Sequence, residues 1–168
     1  MVTSKFLELG NPRRVANRLD GVLNEAALET IELELRKHST KLYSFSLQYY
    51  RFAIRQSGFN WRQKISRLYY SSYSASRAIR LYVSGYYSQD VNDHKKIGNL
   101  PADFPKRAFF GNMLSTLRDD RNTCDYDHTS TSRNLVMDHK YAEAVVRNFL
   151  EETRTYLIDK GLKVRGRP

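Results

Sequence analysis

Apolar positions along this chain recur mostly at three- and four-residue spacing, the period of one buried face of an α-helix. Pro12 suits the first turn of a helix begun at Asn11, where proline's missing N–H costs nothing. Val22, Ala26, Leu28 and Ile31 carry helical character to about Lys37, and Leu42, Phe45, Tyr49, Phe52 and Ala53 carry it on to a break at Ser57-Gly58. The pattern leaves open whether this stretch is two helices or three. From Trp61 to Tyr82 the residues Ile65, Leu68, Ser72, Ala75, Ile79 and Tyr82 form one stripe. Small residues in the centre of that helix, "YYSSYSASRA", allow a neighbour to approach closely. Gly85 ends it, and a polar connection with a short turn at His94 to Ile97 follows. Pro105 opens a fourth helix with Phe110, Leu114 and Leu117 on its buried side, and a loop is expected at 123–131. A last helix buries Ala142, Val145, Val146, Phe149, Thr153, Tyr156 and Leu157 and stops at Gly161. With no strand pattern or repeat, the expected fold is a single-domain, all-α antiparallel bundle of four to six helices.

Composition narrows the class. With 8 Gly and 4 Pro in 168 residues, a long disordered stretch is not expected. No run of about 18 apolar residues offers a membrane span. The first residues, MVTSKFLELGNPRR, lack the apolar core and cleavage site of a signal peptide. Together with a single cysteine, Cys124, this points to a cytoplasmic setting.

Charge adds a partner class. The net charge is +10, and the stretch from Leu35 to Gln89 holds ten Lys and Arg and no Asp or Glu. Nine of the 12 tyrosines lie in the same stretch. Clustered cations attract polyphosphates and interleaved aromatics stack on unpaired bases, so RNA is the expected partner. Arg62, Lys64, Arg67, Arg77 and Arg80 are the candidate contacts. The competing account is a solubilising face whose tyrosines pack inward.

The segment "LRDDRNTCDYDHT", residues 117–129, holds the candidate chemistry. After Phe110, Leu114 and Leu117 the next stripe position is Arg121, a charge that cannot be neutralised where the pattern asks for an apolar side chain. One account makes it a helix-end cation paired with Asp125. A divalent metal on Asp119, Asp120, Asp125, Asp127 and His128 is not expected, because Asp119 and Asp120 diverge by about 100° on a helix. Cys124 reads as an ordinary half-buried thiol rather than a nucleophile. A further account is acid–base RNA cleavage without metal or cofactor. There Arg121 neutralises the scissile phosphate while His128 or Tyr126 moves protons.

Three features in order carry a resemblance. "SRLYYSSYSASRAIRLYVSG" resembles the Tyr/Ala/Arg-rich second helix of HEPN domains, His94 follows in the connection, and "LRDDRNTCDYD" resembles the Arg-x-x-Arg-x-x-x-Asp-Tyr pattern of one HEPN branch. The match spans about three-quarters of the chain. It implies a HEPN-like bundle over 36–161 behind an N-terminal helical extension over 1–35, while "LKVRGRP" after Gly161 reads as a basic, mobile tail over 162–168. It further implies a homodimeric, metal-independent endoribonuclease, a toxin or phage-defence effector. In it Arg121 and His128 are catalytic and Asn122 and Tyr126 assist. Active members carry Arg, four to six residues, then His; here six residues separate Arg121 from His128, and the commonest histidine position holds Tyr126. The alternative implied by the same resemblance is a non-catalytic module that binds nucleotide, RNA or a nucleotidyltransferase-type antitoxin.

Overall fold

The computed structural model describes residues 10–86 and 91–168. Residues 1–9 of the N-terminal extension and 87–90 of the connection lie outside the described residues. Five α-helices build the described chain: α1 (Pro12–Arg18), α2 (Glu25–Ile54), α3 (Trp61–Ser84), α4 (Arg107–Tyr126) and α5 (His139–Asp159). Short 3-10 turns lie at Gly58–Asn60, Val91–Lys96 and Ser132–Asn134. No strand occurs among the described residues, and the fold is an all-α bundle.

The stretch left open between two and three helices is α1 plus one unbroken 30-residue helix. Asn24 starts α2 by accepting from the Ala27 N–H at 2.9 Å. No Gly or Pro interrupts it, and Leu35, Ser39, Tyr43, Ser46, Leu47, Tyr50 and Ala53 keep one face buried. The boundary expected at residue 35 therefore falls inside a continuous helix. α1 is tied to the far end of α3. Arg13 donates to the carbonyls of Tyr82 (2.7 Å) and Val83 (3.0 Å), and Asn11 donates to that of Ser84 (3.1 Å), satisfying groups a helix end leaves open.

Contacts between helices fix their directions. Arg36 lies over the Tyr82 ring, the Ser71 hydroxyl donates to the Ser46 carbonyl (2.8 Å), and Arg67 lies over Tyr49 and Phe52, so α2 and α3 are antiparallel. Lys64 pairs with Glu143, and the Tyr82 hydroxyl donates to the Lys160 carbonyl (3.0 Å), so α3 and α5 are parallel. Phe110 packs on Phe149 and Lys106 pairs with Glu152, which sets α4 antiparallel to α5. Helix α3 is the axial element, buried on nearly all sides, and its small residues are what permit this. Ser71, Ser72 and Ser76 are fully buried, each donating to a carbonyl.

Two ends differ from the sequence reading. α4 begins at Arg107, after Lys106 takes a left-handed φ of 51°, and runs through Tyr126. The first four residues of the loop expected at 123–131 are thus helix. Its buried stripe continues from Leu117 to Asp120 and Cys124, with Arg121 alongside at intermediate exposure. The tail expected to be mobile packs on the bundle: Leu162 and Val164 are buried, and Arg51 and Arg154 donate to the carbonyls of Arg167 (3.2 Å) and Gly166 (3.1 Å). No helix among the described residues is long and apolar enough to cross a membrane.

Candidate functional site

The site forms where the Val91–Lys96 turn is clamped against α3 and faces the C-terminal half of α4. The clamp is Asp93, fully buried, whose carboxylate accepts from both terminal nitrogens of Arg80 (2.8 and 3.0 Å) and from the Tyr73 hydroxyl (2.9 Å). Burial alone would raise this carboxyl. The bonds and charge of Arg80, with Tyr73 and Arg77, outweigh it and hold Asp93 below the usual carboxylate range. Its neighbour His94 is thereby laid on the Tyr73 ring, with centroids 4.4 Å apart and planes 16° from parallel. The Nδ1 atom of His94 shares a hydrogen bond with the Tyr69 hydroxyl. Burial first, and then the positive charges of Arg121 and Arg77, lower the His94 pKa from its ordinary value; Asp93 opposes them. The imidazole is accordingly neutral near pH 7.

Across from it, Arg121 projects from α4. Its Nη2 donates to the Tyr70 hydroxyl (2.8 Å) and its Nη1 to the Asn122 side-chain oxygen (3.2 Å). Nε lies 2.8 Å from an Asp125 oxygen one turn on, a pair held by charge because the N–H is not aimed along it. The guanidinium carbon stands 5.6, 5.5 and 5.6 Å from the ring centres of Tyr69, Tyr70 and Tyr126. Burial alone would loosen its proton; Tyr70 and Asp125 outweigh that and keep Arg121 charged.

Between these groups lies an open cavity of about 460 Å³, lined by Tyr69, His94, Lys95, Arg118, Arg121, Asn122 and Tyr126. Cations beside aromatic faces suit a phosphate flanked by bases, and a neutral imidazole in the same space can exchange a proton. Comparison with protein-family models, with curated proteins and with solved structures finds no match to this chain. The chemistry of the cavity therefore rests on its own geometry. Among the described residues, no group of three or more His, Cys, Asp or Glu is arranged to hold a metal ion.

Of the candidates named from sequence, Arg121, Asn122 and Tyr126 meet at this cavity. His128 lies beyond the end of α4 on an exposed turn and is not among the lining residues. That turn is organised by Asp127, whose carboxylate accepts from the Thr129 N–H (3.0 Å) and hydroxyl (2.7 Å) and the Ser130 N–H (3.2 Å).

The five basic candidates divide. Arg62 donates to the carbonyls of Cys124 (2.7 Å) and Ser130 (2.6 Å), closing the end of α4. Lys64 is buried against Glu143, and Arg80 is held by Asp93. Arg77 lies over Tyr73, 3.8 Å from Asp93, while Arg67 is exposed over Tyr49 and Phe52. The acid-free charge is thus partly consumed inside the fold. Five of the tyrosines follow the inward account, since Tyr43, Tyr50, Tyr69, Tyr73 and Tyr82 are buried, while Tyr49 and Tyr70 are half-buried and Tyr86 is exposed. Sequence reasoning missed Tyr69, Tyr70, Lys95 and Arg118. The consecutive Tyr69-Tyr70 pair was a usable signal, because two adjacent positions on a helix point about 100° apart and one cannot share the other's core contacts.

Proposed function

We propose that the chain is a metal-independent endoribonuclease of the HEPN type, acting on single-stranded RNA as a toxin or defence effector. The observation that carries this reading is a charged Arg121 wedged among three tyrosine rings beside a neutral histidine, in a cavity open to solvent. Arg121 and Arg118 receive the scissile phosphate, Tyr126 offers its exposed ring face to a flanking base, and Asn122 steadies Arg121. Attack by the 2′-hydroxyl leaves a 2′,3′-cyclic phosphate and a 5′-hydroxyl. A homodimer belongs to this reading, with two copies of the motif facing each other across a cleft.

The test is cleavage of single-stranded RNA in EDTA, with the new ends analysed for cyclic phosphate. Wild type is expected to cleave and Arg121→Ala to lose about 100-fold or more, the scale of removing one charge-stabilising donor. Full activity in Arg121→Ala would remove this site.

A second reading is favoured by the Arg121–Asp125 pair, which already partly neutralises the guanidinium. Under it the module binds RNA, nucleotide or a nucleotidyltransferase-type antitoxin without cutting. It predicts salt-sensitive RNA binding, weakened by Arg121→Ala, with no cyclic-phosphate products at any enzyme concentration.

A further inference from the structure

We infer that His94, and not His128, is the proton-transfer group of this site, held in position by Tyr69; the inference rests on the ribonuclease reading above. Three independent observations converge on His94. It lines the cavity that Arg121 lines, whereas His128 does not. Its ring is fixed by stacking on Tyr73 and by the shared hydrogen bond with Tyr69, so its orientation is set before any ligand enters. And its backbone is anchored by the buried Asp93, the adjacent residue, to Arg80 of α3. A surface histidine has none of these restraints.

The chemistry follows from the two ring nitrogens. The Tyr69 phenol donates to Nδ1 in one tautomer and accepts from Nδ1–H in the other. In the second tautomer the lone pair of Nε2 is available to the ligand. Nε2 takes the proton of the 2′-hydroxyl as the O2′–P bond forms. The P–O5′ bond breaks, O5′ takes a proton from solvent water in the open cavity, and His94 returns its own proton to solvent. The imidazolium formed on the way keeps its Nδ1–H on the Tyr69 oxygen.

The charged and titratable groups facing the ring come from three elements: Asp93 and Lys95 on its own turn, Tyr69, Tyr73 and Arg77 on α3, and Arg118 and Arg121 on α4. Their balance, with partial burial, favours the neutral ring. The acidic limb of the pH–rate profile is therefore expected below the ordinary histidine value of 6.5.

The test uses the full chain and a single-stranded RNA in EDTA, with an RNA carrying one 2′-deoxy residue at the cleaved step to measure binding alone. In His94→Asn the side-chain amide can still meet the Tyr69 hydroxyl but lacks Nε2. The expected result is a loss of about 100-fold or more in cleavage, unchanged affinity for the 2′-deoxy RNA, and disappearance of the acidic limb. In His94→Gly, added imidazole is expected to enter the slot beside Tyr73 and restore cleavage. Cleavage by His94→Asn at the wild-type rate overturns the inference and leaves the ribonuclease reading standing. Loss of affinity together with rate, and no imidazole rescue in His94→Gly, also overturns it and makes His94 structural. If the wild-type protein cuts no RNA, the ribonuclease reading falls and the role of His94 falls with it.

Discussion

The carboxylate of Asp93 takes both terminal nitrogens of Arg80, at 2.8 and 3.0 Å, inside the bundle. This two-point bond fixes a turn to the axial helix, and it is the reason a histidine from an otherwise polar connection reaches the cavity. Removing one partner of a buried pair leaves the other charge uncompensated, so Asp93→Ala is expected to cost roughly 3–5 kcal/mol. The pH dependence has a definite sign. Because the folded-state pKa of Asp93 is depressed, its contribution is present above the unfolded value of 3.8 and is lost as pH falls through the folded value. Urea unfolding of wild type and Asp93→Asn across pH 2–7 should show curves that separate toward neutral pH and converge in acid. A gap that persists undiminished in acid would contradict this account.

A second prediction concerns how that turn seats on α4. A methyl group on Gly98 would stand 2.6 Å from the Gly111 carbonyl oxygen and 3.0 Å from the Ser115 hydroxyl, so only glycine permits this approach. Gly98→Ala is expected to cost about 1–3 kcal/mol by overpacking. It should also weaken RNA binding, since Gly98 follows closely after His94 and Lys95, which line the cavity. Thermal melting and an RNA titration check the two effects, and a variant that melts like wild type would contradict the crowding.

Basic residues should divide by what their nitrogens already hold. Arg62 closes the end of α4 and Arg80 holds Asp93, so Arg62→Gln and Arg80→Gln are expected to lower the melting temperature. Arg67 is exposed, and Arg67→Gln should leave stability within about 0.5 kcal/mol. If Arg67 contacts phosphate, its variant lowers the slope of log affinity against log salt by about 1. Equal salt slopes for Arg67→Gln and wild type would remove it from the binding surface.

The helices were legible because their periodicity is local: Leu68, Ala75, Ile79 and Tyr82 on α3, and the whole predicted face of α5, are buried. Arg121 was legible because it breaks a pattern. The end of α4 was not. Its last turns, "RNTCDY", hold after Arg121 only residues of modest helix propensity, and Arg62 closes the end from outside the helix by donating to Cys124 and Ser130. His94 was visible only as a residue in a connection, because its place depends on a pair that joins Asp93 to Arg80 through the core. The basic stretch misled for a related reason: α3 is axial, so several of its cations meet partners within the bundle.

Cys124 provides a test of the end of α4. It is buried, and burial pushes its thiol up to about 12. The folded protein is expected to resist alkylation by iodoacetamide at pH 8 and to react readily in denaturant. Arg62→Gln, which opens the carbonyls of Thr123 and Cys124, should speed the native-state reaction. Rapid alkylation of the native wild type would mean that the helix end is not closed as described.

The last prediction concerns Asp120, a carboxylate in the buried stripe of α4. Its two oxygens accept from the backbone N–H groups of Val136 (2.8 Å) and Met137 (2.9 Å), pinning the segment that leads into α5. Asp120→Ala leaves both donors unmet, and roughly 3 kcal/mol should be lost. Burial raises the pKa of Asp120 in spite of these two bonds. The sign is therefore opposite to that of Asp93. The contribution is full below the unfolded value of 3.8 and declines as pH rises through the raised folded value. Urea unfolding of wild type and Asp120→Ala should show the gap narrowing with rising pH across that window. Limited proteolysis of the variant should cut within residues 127–138, where wild type resists. A gap that widened with pH would mean that the two amides outweigh burial, and that Asp120 is stabilised as the carboxylate.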